Sequence, residues 1–394
     1  IMSVSKRENI IQLIADSYTE RELFSGIEWL AEKSGKVILS GKSGYQNFQE
    51  KTPIPTNAIY RIYSMTKPIT SVMALKLIEK GKLRLYDPVS SFIPSFGNLK
   101  VMNPDGSMED LVRPIIIEDL LTHRSGLTYD FLPGCHVAPL YSEKDISDDG
   151  SVNLEKKCES LSHLPLAYQP GSRFNYSVSI DVLARIIEII SEKDFEVILR
   201  EEIFDPLEMK DTSFSVEKEN LPRLMSTYGA SNFKEIMNIG PHSLKETNVN
   251  QHNPFTKGDH FRRGGTGLFS TTSDYLSFGR MLLSGKSKSG EIILSRNMVN
   301  FMRMNRIPDS QLPIMLGPLP FAGYGWNLIG RTVVDNGKTM SLTGKNEFGW
   351  AGAASTYFWV DPDEDLVGIM MTQYLGSMWP ITDDMRVAMY QAID

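Results

Sequence analysis

A serine and a lysine stand three residues apart in the segment RIYSMTKPIT, at Ser64 and Lys67, just before Pro68. Because proline is tolerated only in the first turn of a helix, a helix is predicted to begin close to Ser64. Ser64 then lies at the positive end of the helix dipole, with Lys67 one turn along on the same face. This is the geometry of an activated nucleophile, in which the amine accepts the hydroxyl proton or keeps another base charged.

The Ser-x-x-Lys spacing alone is weak evidence for catalysis, because such a pair is usually solvated on the surface. Four pairs in the chain share it: Ser3 and Lys6, Ser64 and Lys67, Ser215 and Lys218, Ser231 and Lys234. The pair at Ser64 differs because an apolar helix pattern follows Pro68 and ends at Gly81. A lysine at the start of a buried helix is costly unless it has a function.

Other forms of serine or metal chemistry have less support in the sequence. No Gly-x-Ser-x-Gly segment is present, which removes the strongest sign of an α/β-hydrolase. Six histidines could supply a triad, but His123, in LLTHRSGL, is expected to be structural or to line a cleft, and the other five lie in loop-like sequence. No HExxH segment or Cys/His cluster occurs, so no metal site is expected.

The composition is ordinary for a soluble globular protein. The chain has 394 residues, 41% of them hydrophobic and 23% charged, and about two domains are expected at roughly 150 residues each. A net charge of −7 argues against a nucleic-acid surface, and no segment is apolar over the length that a membrane helix needs. Neither a nucleic acid nor a membrane is therefore expected as a partner, and the oligomeric state is open.

Cysteine use and the N-terminal sequence bear on the compartment. Two cysteines, Cys135 and Cys158, are expected to be free thiols in a reducing compartment, although they could pair. The first residues lack the long apolar core of a signal peptide. We therefore expect a cytoplasmic protein; a periplasmic or secreted one is the alternative if a signal peptide has been removed.

The hydrophobic pattern changes along the chain. An amphipathic helix is predicted over 6–18, a short strand over 36–40, and mostly helical structure over 85–315, with polar loops at 142–160 and 240–266. After Tyr324 strand patterns return in WNLIGRTVV, ASTYFWV and DLVGIMM, and a helix closes the chain from about Asp383. This order predicts an α/β domain formed by 1–80 and 320–394, with a mostly helical domain, 81–319, inserted and the site in the cleft between them.

Six segments, in order, resemble the serine β-lactamase and penicillin-binding-protein superfamily over roughly residues 55–375. They are SMTK at Ser64, LLTHRSGL at Leu120, PGSRFNYSVSIDVLARIIE at Pro170, IFDPLEMKDTSF at Ile203, GGTGLFSTTSDYLSFGRMLL at Gly264 and FGWAGAASTYFWVDP at Phe348. The resemblance is to the class C-like branch that contains the family VIII carboxylesterases. It implies an antiparallel sheet flanked by helices and built from both termini, an inserted helical domain, and no cofactor.

The resemblance places the catalytic tyrosine at Tyr176, directly before the segment SVSIDVLARIIEIISEK. A tyrosine pKa of about 10 is too high for a base at neutral pH, but an adjacent lysine ammonium would favour the phenolate. Lys67 and Tyr176 are therefore expected to act as one unit on Ser64. Without the resemblance, Tyr176 would be interpreted as a packing residue at the start of a helix.

Two β-lactamase motifs of the superfamily are missing. Ser177 and Val178 follow Tyr176 where class C enzymes carry Tyr-x-Asn, so the asparagine that helps grip a lactam side-chain amide is absent. The Lys-Thr-Gly motif is absent in form, since Lys338-Thr339-Met340 lacks the glycine and Thr343-Gly344-Lys345 reverses the order.

The segment Trp350, Ala351 and Gly352 resembles the Trp-Gly-Gly of family VIII esterases. Trp350 replaces a cation by an apolar wall and so favours neutral esters over lactam carboxylates. The same correspondence implies an oxyanion hole formed by the backbone N–H groups of Ser64 and Ala353. Tyr129, in GLTYDF, is expected to line the acyl pocket or to be a surface aromatic residue, and Trp350 is otherwise a core tryptophan.

The sequence therefore predicts a serine carboxylesterase that cleaves short-chain acyl esters through an acyl-enzyme on Ser64. Alternatives on the same scaffold are a β-lactamase, a D-amino-acid peptidase or amidase acting on amide substrates, and an acyltransferase. An inactive ligand-binding relative is a further alternative, although a binding role requires none of Ser64, Lys67 and Tyr176.

Overall fold

The computed structural model describes residues 4–147, 150–238, 240–247 and 262–393. Its α-helices are α1 (Val4–Glu20), α2 (Thr66–Glu79), α3 (Ile117–Leu121), α4 (Ala138–Glu143), α5 (Leu154–Ser162), α6 (Ser179–Ser191), α7 (Phe195–Leu199), α8 (Thr272–Ser284), α9 (Arg296–Met302) and α10 (Ile381–Ala392). None of these helices is both long enough and apolar enough to cross a lipid bilayer.

The strands are β1 (Gly26–Lys33), β2 (Lys36–Asn47), β3 (Thr52–Pro53), β4 (Tyr60–Arg61), β5 (Lys100–Met102), β6 (Met108–Asp110), β7 (Tyr228–Gly229), β8 (Phe269–Ser270), β9 (Ile314–Leu316), β10 (Leu319–Phe321), β11 (Tyr324–Trp326), β12 (Arg331–Val333), β13 (Phe348–Gly352), β14 (Thr356–Asp361), β15 (Leu366–Met371) and β16 (Tyr374–Leu375). Eight of them form an antiparallel sheet in the order β11-β12-β13-β14-β15-β1-β2-β3. The two ends of the chain meet where β1 pairs with β15, from Glu28 opposite Met371 to Lys33 opposite Leu366.

Each face of the sheet has its own hydrophobic layer, because successive side chains of a strand point to opposite faces. On β14, Phe358 and Val360 pack into the large core that also contains α2 and α6. Tyr357 and Trp359 of the same strand pack into the smaller core with residues of α1 and α10. The sheet is therefore covered by helices on both faces.

Helix α2 is buried on nearly all sides, and it carries the serine–lysine segment into the large core. Its residues from Thr66 to Leu77 are all buried, and Pro68 occupies its first turn as predicted. Gly81 follows the helix end in the left-handed conformation, at φ 69°, as the sequence pattern indicated.

Several predicted boundaries differ from the observed ones. The N-terminal helix is longer than 6–18, the strand predicted over 36–40 continues to Asn47, and strand β1 has no counterpart among the predicted elements. The segment WNLIGRTVV is divided by a turn in which the Asn327 N–H donates to the Gly330 carbonyl, so it contributes to β11 and β12 instead of one strand. The region 85–315 contains short strands as well as helices.

The proposed division into two domains stays a prediction. Helix α8 belongs by sequence to the inserted region, yet it packs on the sheet, where Gly279 lies against Val367 of β15. Most of the loop predicted over 240–266 falls at 248–261, outside the described residues.

Candidate active site

Ser64 lies in a short 3₁₀ turn, Tyr63–Met65, that leads directly into α2. The residue before it, Tyr63, has a φ of 43°, which is uncommon for a bulky residue and is found where the surrounding structure imposes it. Strand β13 lies against this turn. Ser64 is 9% exposed, so it is held at the edge of the core with limited access to solvent.

Lys67 projects from the first turn of α2 and is 1% exposed. Its Nζ atom lies 3.1 Å from Ser64 Oγ, 2.9 Å from Tyr129 Oη and 2.9 Å from the Gly265 carbonyl oxygen. Burial lowers the pKa of Lys67 to about 7, although the charge of Asp181 acts in the opposite direction. A large fraction of Lys67 is therefore neutral near pH 7, with a lone pair available for a proton.

Tyr176 stands just before α6, and its ring lies beside the lysine, with Lys67 Nζ 4.6 Å from the ring centroid. Trp350 Nε1 donates a hydrogen bond of 2.9 Å to Tyr176 Oη. Burial raises the pKa of Tyr176, although its hydrogen bonds with Ser64 and Trp350 act to lower it. These directions differ from the expected pairing of ammonium and phenolate, because burial disfavours the charged form of both groups.

Tyr129 is part of the same cluster and is not a surface residue, since only 3% of it is exposed. Its hydroxyl contacts Lys67 Nζ, and its ring stacks on Phe131 with centroids 4.7 Å apart. Burial raises the pKa of Tyr129 well above its usual value, so it is a neutral phenol. The sequence did not indicate that Tyr129 and Tyr176 both contact the lysine.

A buried ion pair is linked to Lys67 through the backbone of Gly265. Asp181, in the first turn of α6, lies 2.8 Å from Lys157 Nζ, and both side chains are at most 4% exposed. Asp181 Oδ1 also accepts a hydrogen bond of 2.8 Å from the Gly265 N–H. Since the Gly265 carbonyl accepts from Lys67, this peptide segment links the carboxylate to the lysine. The sequence did not identify Asp181, Lys157 or Gly265 as part of the site. The signal that could have identified them is the pair of glycines in GGTG at Gly264, because glycine allows the backbone to approach other groups closely.

The end of β13 lies next to the 3₁₀ turn that carries Ser64. A Cβ atom on Gly352 would overlap the Ile62 carbonyl oxygen, so only glycine fits there. Trp350 is buried in the large core and its ring contacts Tyr176, and its role as a wall of the site stays a prediction. The oxyanion hole assigned to the N–H groups of Ser64 and Ala353 stays a prediction. The Lys338-Thr339-Met340 segment lies elsewhere in a loop, where Met340 is 95% exposed.

The pair of Ser231 and Lys234 does not form a comparable site. Ser231 and Lys234 bond to Glu235 and Asp145, and Ser3 of the pair with Lys6 is outside the described residues. Among the residues that the structure describes, no group of three or more acidic, histidine or cysteine side chains is arranged to hold a metal ion.

His123 lies behind Tyr176, with ring centroids 4.7 Å apart, and is fully buried. Burial, together with the nearby Lys67, lowers the pKa of His123 well below its usual value. Its Nδ1 accepts from the Ser177 N–H at 3.2 Å. His123 therefore packs against Tyr176, whereas the amine of Lys67 lies next to the Ser64 hydroxyl.

The arrangement as a whole suits acyl transfer to a serine, and comparison with known proteins agrees. The family model described as Beta-lactamase matches residues 12–390. The chain belongs to the β-lactamase family. Its antiparallel sheet flanked by helices confirms the predicted fold class, and the predicted superfamily is confirmed as well.

Two curated proteins and one solved structure are similar to this chain. Protein Rv1367c of Mycobacterium tuberculosis is 32% identical over 89% of this chain and 86% of its own length. Esterase EstB of Burkholderia gladioli is 31% identical over 51% of this chain and 50% of its own. The solved structure of EstCE1, described as a hydrolase with promiscuous acyltransferase activity, has a TM-score of 0.81, with 23% identity and 98% coverage of both chains. Family and relatives together indicate a serine hydrolase of the β-lactamase type.

Proposed function

We propose that this protein is a carboxylesterase of the family VIII type that cleaves short-chain acyl esters through an acyl-enzyme on Ser64. The observation that carries the proposal is the 3.1 Å contact between Ser64 Oγ and a buried Lys67 Nζ, with Tyr176 beside both. The esterase activity named for EstB is consistent with it.

In the proposed mechanism, Lys67 takes the first proton. A neutral amine can donate to the Gly265 carbonyl and to Tyr129 Oη, which leaves its lone pair for the Ser64 hydroxyl. Ser64 Oγ attacks the ester carbonyl carbon as its proton passes to Lys67, and the N–H groups of Ser64 and Ala353 stabilise the oxyanion.

Tyr176 protonates the leaving alcohol in this scheme. Its hydroxyl receives a hydrogen bond from Trp350, which stabilises negative charge on the oxygen while the proton is transferred. The proton taken by Lys67 then restores Tyr176. Water attacks the acyl-enzyme in the second half of the reaction, with the same groups acting in reverse, and Ser64 is released as a hydroxyl.

The test compares hydrolysis of p-nitrophenyl butyrate by the wild type and by Ser64→Ala. Loss of the nucleophile is expected to reduce kcat by about 10³-fold or more. Ser231→Ala is the matched control, because Ser231 has the same spacing to a lysine but lies on the surface, and it should retain full activity. Equal activity of Ser64→Ala and the wild type, or no activity in either, would contradict the proposal.

β-Lactam hydrolysis is the less favoured activity, because Trp350 stands where class C enzymes carry the lysine of their third motif. A chromogenic cephalosporin should therefore be turned over at least about 10²-fold less efficiently than the ester. Acyl transfer to an alcohol is favoured more, since EstCE1 is described with that activity in addition to hydrolysis. Adding an alcohol to the assay and measuring the new ester separates transfer from hydrolysis.

A further inference from the structure

The hairpin formed by β9 and β10 is apolar throughout. Its segment, IMLGPLPF over 314–321, contains no charged or hydrogen-bonding side chain. Leu316 pairs with Leu319 and Ile314 pairs with Phe321, so these four side chains share one face of the hairpin. Contiguous apolar surface that reaches solvent is uncommon on soluble proteins and often marks a binding site.

The exposure of this face increases along the hairpin. Ile314 is 1% exposed and belongs to the large core, whereas Leu319 is 48% exposed. Leu316 and Phe321 are partly buried against the same core. The face therefore extends from the interior of the protein to solvent as a continuous apolar surface.

The hairpin contacts two segments that also carry residues of the candidate site, one with Trp350 and one with Tyr129. At its base, Phe321 packs edge-to-face against Trp350, with ring centroids 6.3 Å apart, and Trp350 bonds to Tyr176. At its tip, a Cβ on Gly317 would lie 3.4 Å from Pro133 Cδ. Pro133 is two residues beyond Phe131, which stacks on Tyr129. The base of the hairpin therefore lies beside Trp350, and its tip lies beside the loop that follows Tyr129.

The geometry of the hairpin is held in place before any ligand binds. Gly317 takes up a φ of 58° at the first position of a two-residue turn, as tight hairpin turns favour. At the base, Gln311 accepts a hydrogen bond of 3.0 Å from Arg124 Nε and donates one of 3.0 Å to the Gly171 carbonyl. A pre-formed apolar surface loses little conformational entropy on binding.

The proposed proton transfer from Tyr176 indicates which part of the ester lies near the hairpin. The leaving oxygen must come within hydrogen-bonding reach of Tyr176 Oη to receive its proton. The alcohol portion of the ester then extends past Trp350 toward Phe321 and the face beyond it. An alcohol that accepts the acyl group from Ser64 would occupy the same position, because the second half of the reaction reverses the first.

We propose that the apolar face of Leu316, Leu319 and Phe321 binds the alcohol portion of the substrate, and that the preferred substrates are esters of bulky apolar alcohols. This inference rests on the proposed function and specifies its substrate class. It predicts that kcat/KM depends on the alcohol portion of the ester through this face, and that the face does not affect the preference for the acyl chain.

The test measures kcat/KM for 1-naphthyl acetate, ethyl acetate and ethyl octanoate in the wild type and in Leu319→Gln. We expect a loss of about 10-fold for 1-naphthyl acetate, and a change of less than about 2-fold for the two ethyl esters, since a polar group replaces one apolar contact. Leu13→Gln is the matched control, because Leu13 is 66% exposed on α1 and should alter none of the three. Leu316→Gln provides a second variant at the partner position of the hairpin.

Each other outcome overturns the proposal. A loss of kcat/KM confined to ethyl octanoate would show that the face binds the acyl chain. An equal loss of kcat/KM for all three esters, or no loss for any of them, would show that the face does not bind the alcohol portion. If the wild type hydrolysed no ester, the proposed function would fail first. Equilibrium binding of 1-naphthol to Ser64→Ala, with and without Leu319→Gln, then decides separately whether the hairpin binds an apolar alcohol.

Discussion

At the scale of single residues, Lys67 has the most informative environment. Its amine is surrounded by Ser64, Tyr129 and Gly265, and none of these carries a formal negative charge. Burial lowers its pKa to about 7, while the charge of the more distant Asp181 raises it. The carboxylate therefore adjusts the proton affinity of the lysine without contacting the serine.

The first prediction concerns the pH dependence of hydrolysis. Because Lys67 must be neutral to accept a proton, kcat/KM should rise with pH through an apparent pKa near 7. Asp181→Asn removes the charge that raises this pKa but keeps an oxygen for the Gly265 N–H, so the midpoint should move to lower pH. The profile is measured with p-nitrophenyl butyrate at constant ionic strength.

Asp145→Asn is the control for this shift, since Asp145 forms an exposed ion pair with Lys234 and is not among the groups that affect the Lys67 pKa. Asp181→Asn also leaves Lys157 buried without its carboxylate, so a lower Tm is expected for that variant. An unchanged midpoint, or one moved to higher pH, would show that Lys67 is not the titrating base.

At the scale of elements, the packing of α8 on the sheet depends on one glycine. A Cβ on Gly279 would lie 2.5 Å from Val367 Cγ1 on β15, which is too close without movement. The small residue allows the helix to approach the strand closely, and this contact anchors a helix of the inserted region on the sheet of the terminal segments. The same helix places Tyr275, whose hydroxyl donates a 2.7 Å hydrogen bond to the carbonyl of Met65, the residue after Ser64.

We therefore expect Gly279→Ala to lower the free energy of unfolding by about 1–2 kcal/mol, because overpacking exceeds the gain in helix propensity. In a Val367→Ala background the obstructing methyl groups are gone, and the same substitution should become stabilising. Urea unfolding of the four proteins measures the change of sign. Ser277→Ala, on the exposed side of α8, should change stability by less than about 0.5 kcal/mol in either background. Equal destabilisation by Gly279→Ala in both backgrounds would refute this account of the packing.

At the scale of the whole molecule, one large core connects the sheet to the inserted region. It contains residues of α2 and α6 as well as Phe358 and Ile369 of the sheet. The second core, with Trp359, lies on the other face of the same sheet. Among the described residues, every hydrophobic cluster that contains residues of the inserted region also contains residues of the terminal segments, so the inserted region has no core of its own.

This continuity predicts a single cooperative unfolding transition. Tryptophan fluorescence reports mainly on the sheet and its margin, where Trp29, Trp326, Trp350 and Trp359 lie, while far-UV circular dichroism reports also on the helices of the inserted region. The two denaturation curves should have the same midpoint. Two separate transitions would instead support independent folding of 81–319.

The sequence by itself determined the features that depend on local pattern. The spacing of Ser64, Lys67 and Pro68 predicted a buried helix start, and the ordered motifs predicted the family and the fold class. The helix prediction succeeded because dipole, capping and hydrophobic period act over a few residues along the chain. The family and the fold class came from the resemblance that the ordered motifs carry. The role of Tyr176 also came from the motif order, and it stays a prediction until the reaction is measured.

The tertiary structure alone decided which distant groups meet at the site. Tyr129 is 62 positions from Lys67 and Gly265 is 198, yet both contact its amine. The pairing of β1 with β15, and the position of the β9–β10 hairpin between Trp350 and Pro133, likewise join segments far apart in sequence. Local periodicity carries no information about such contacts. Burial then lowers the proton affinity of Lys67 and raises that of the tyrosines, because the charged form of each loses its contact with water.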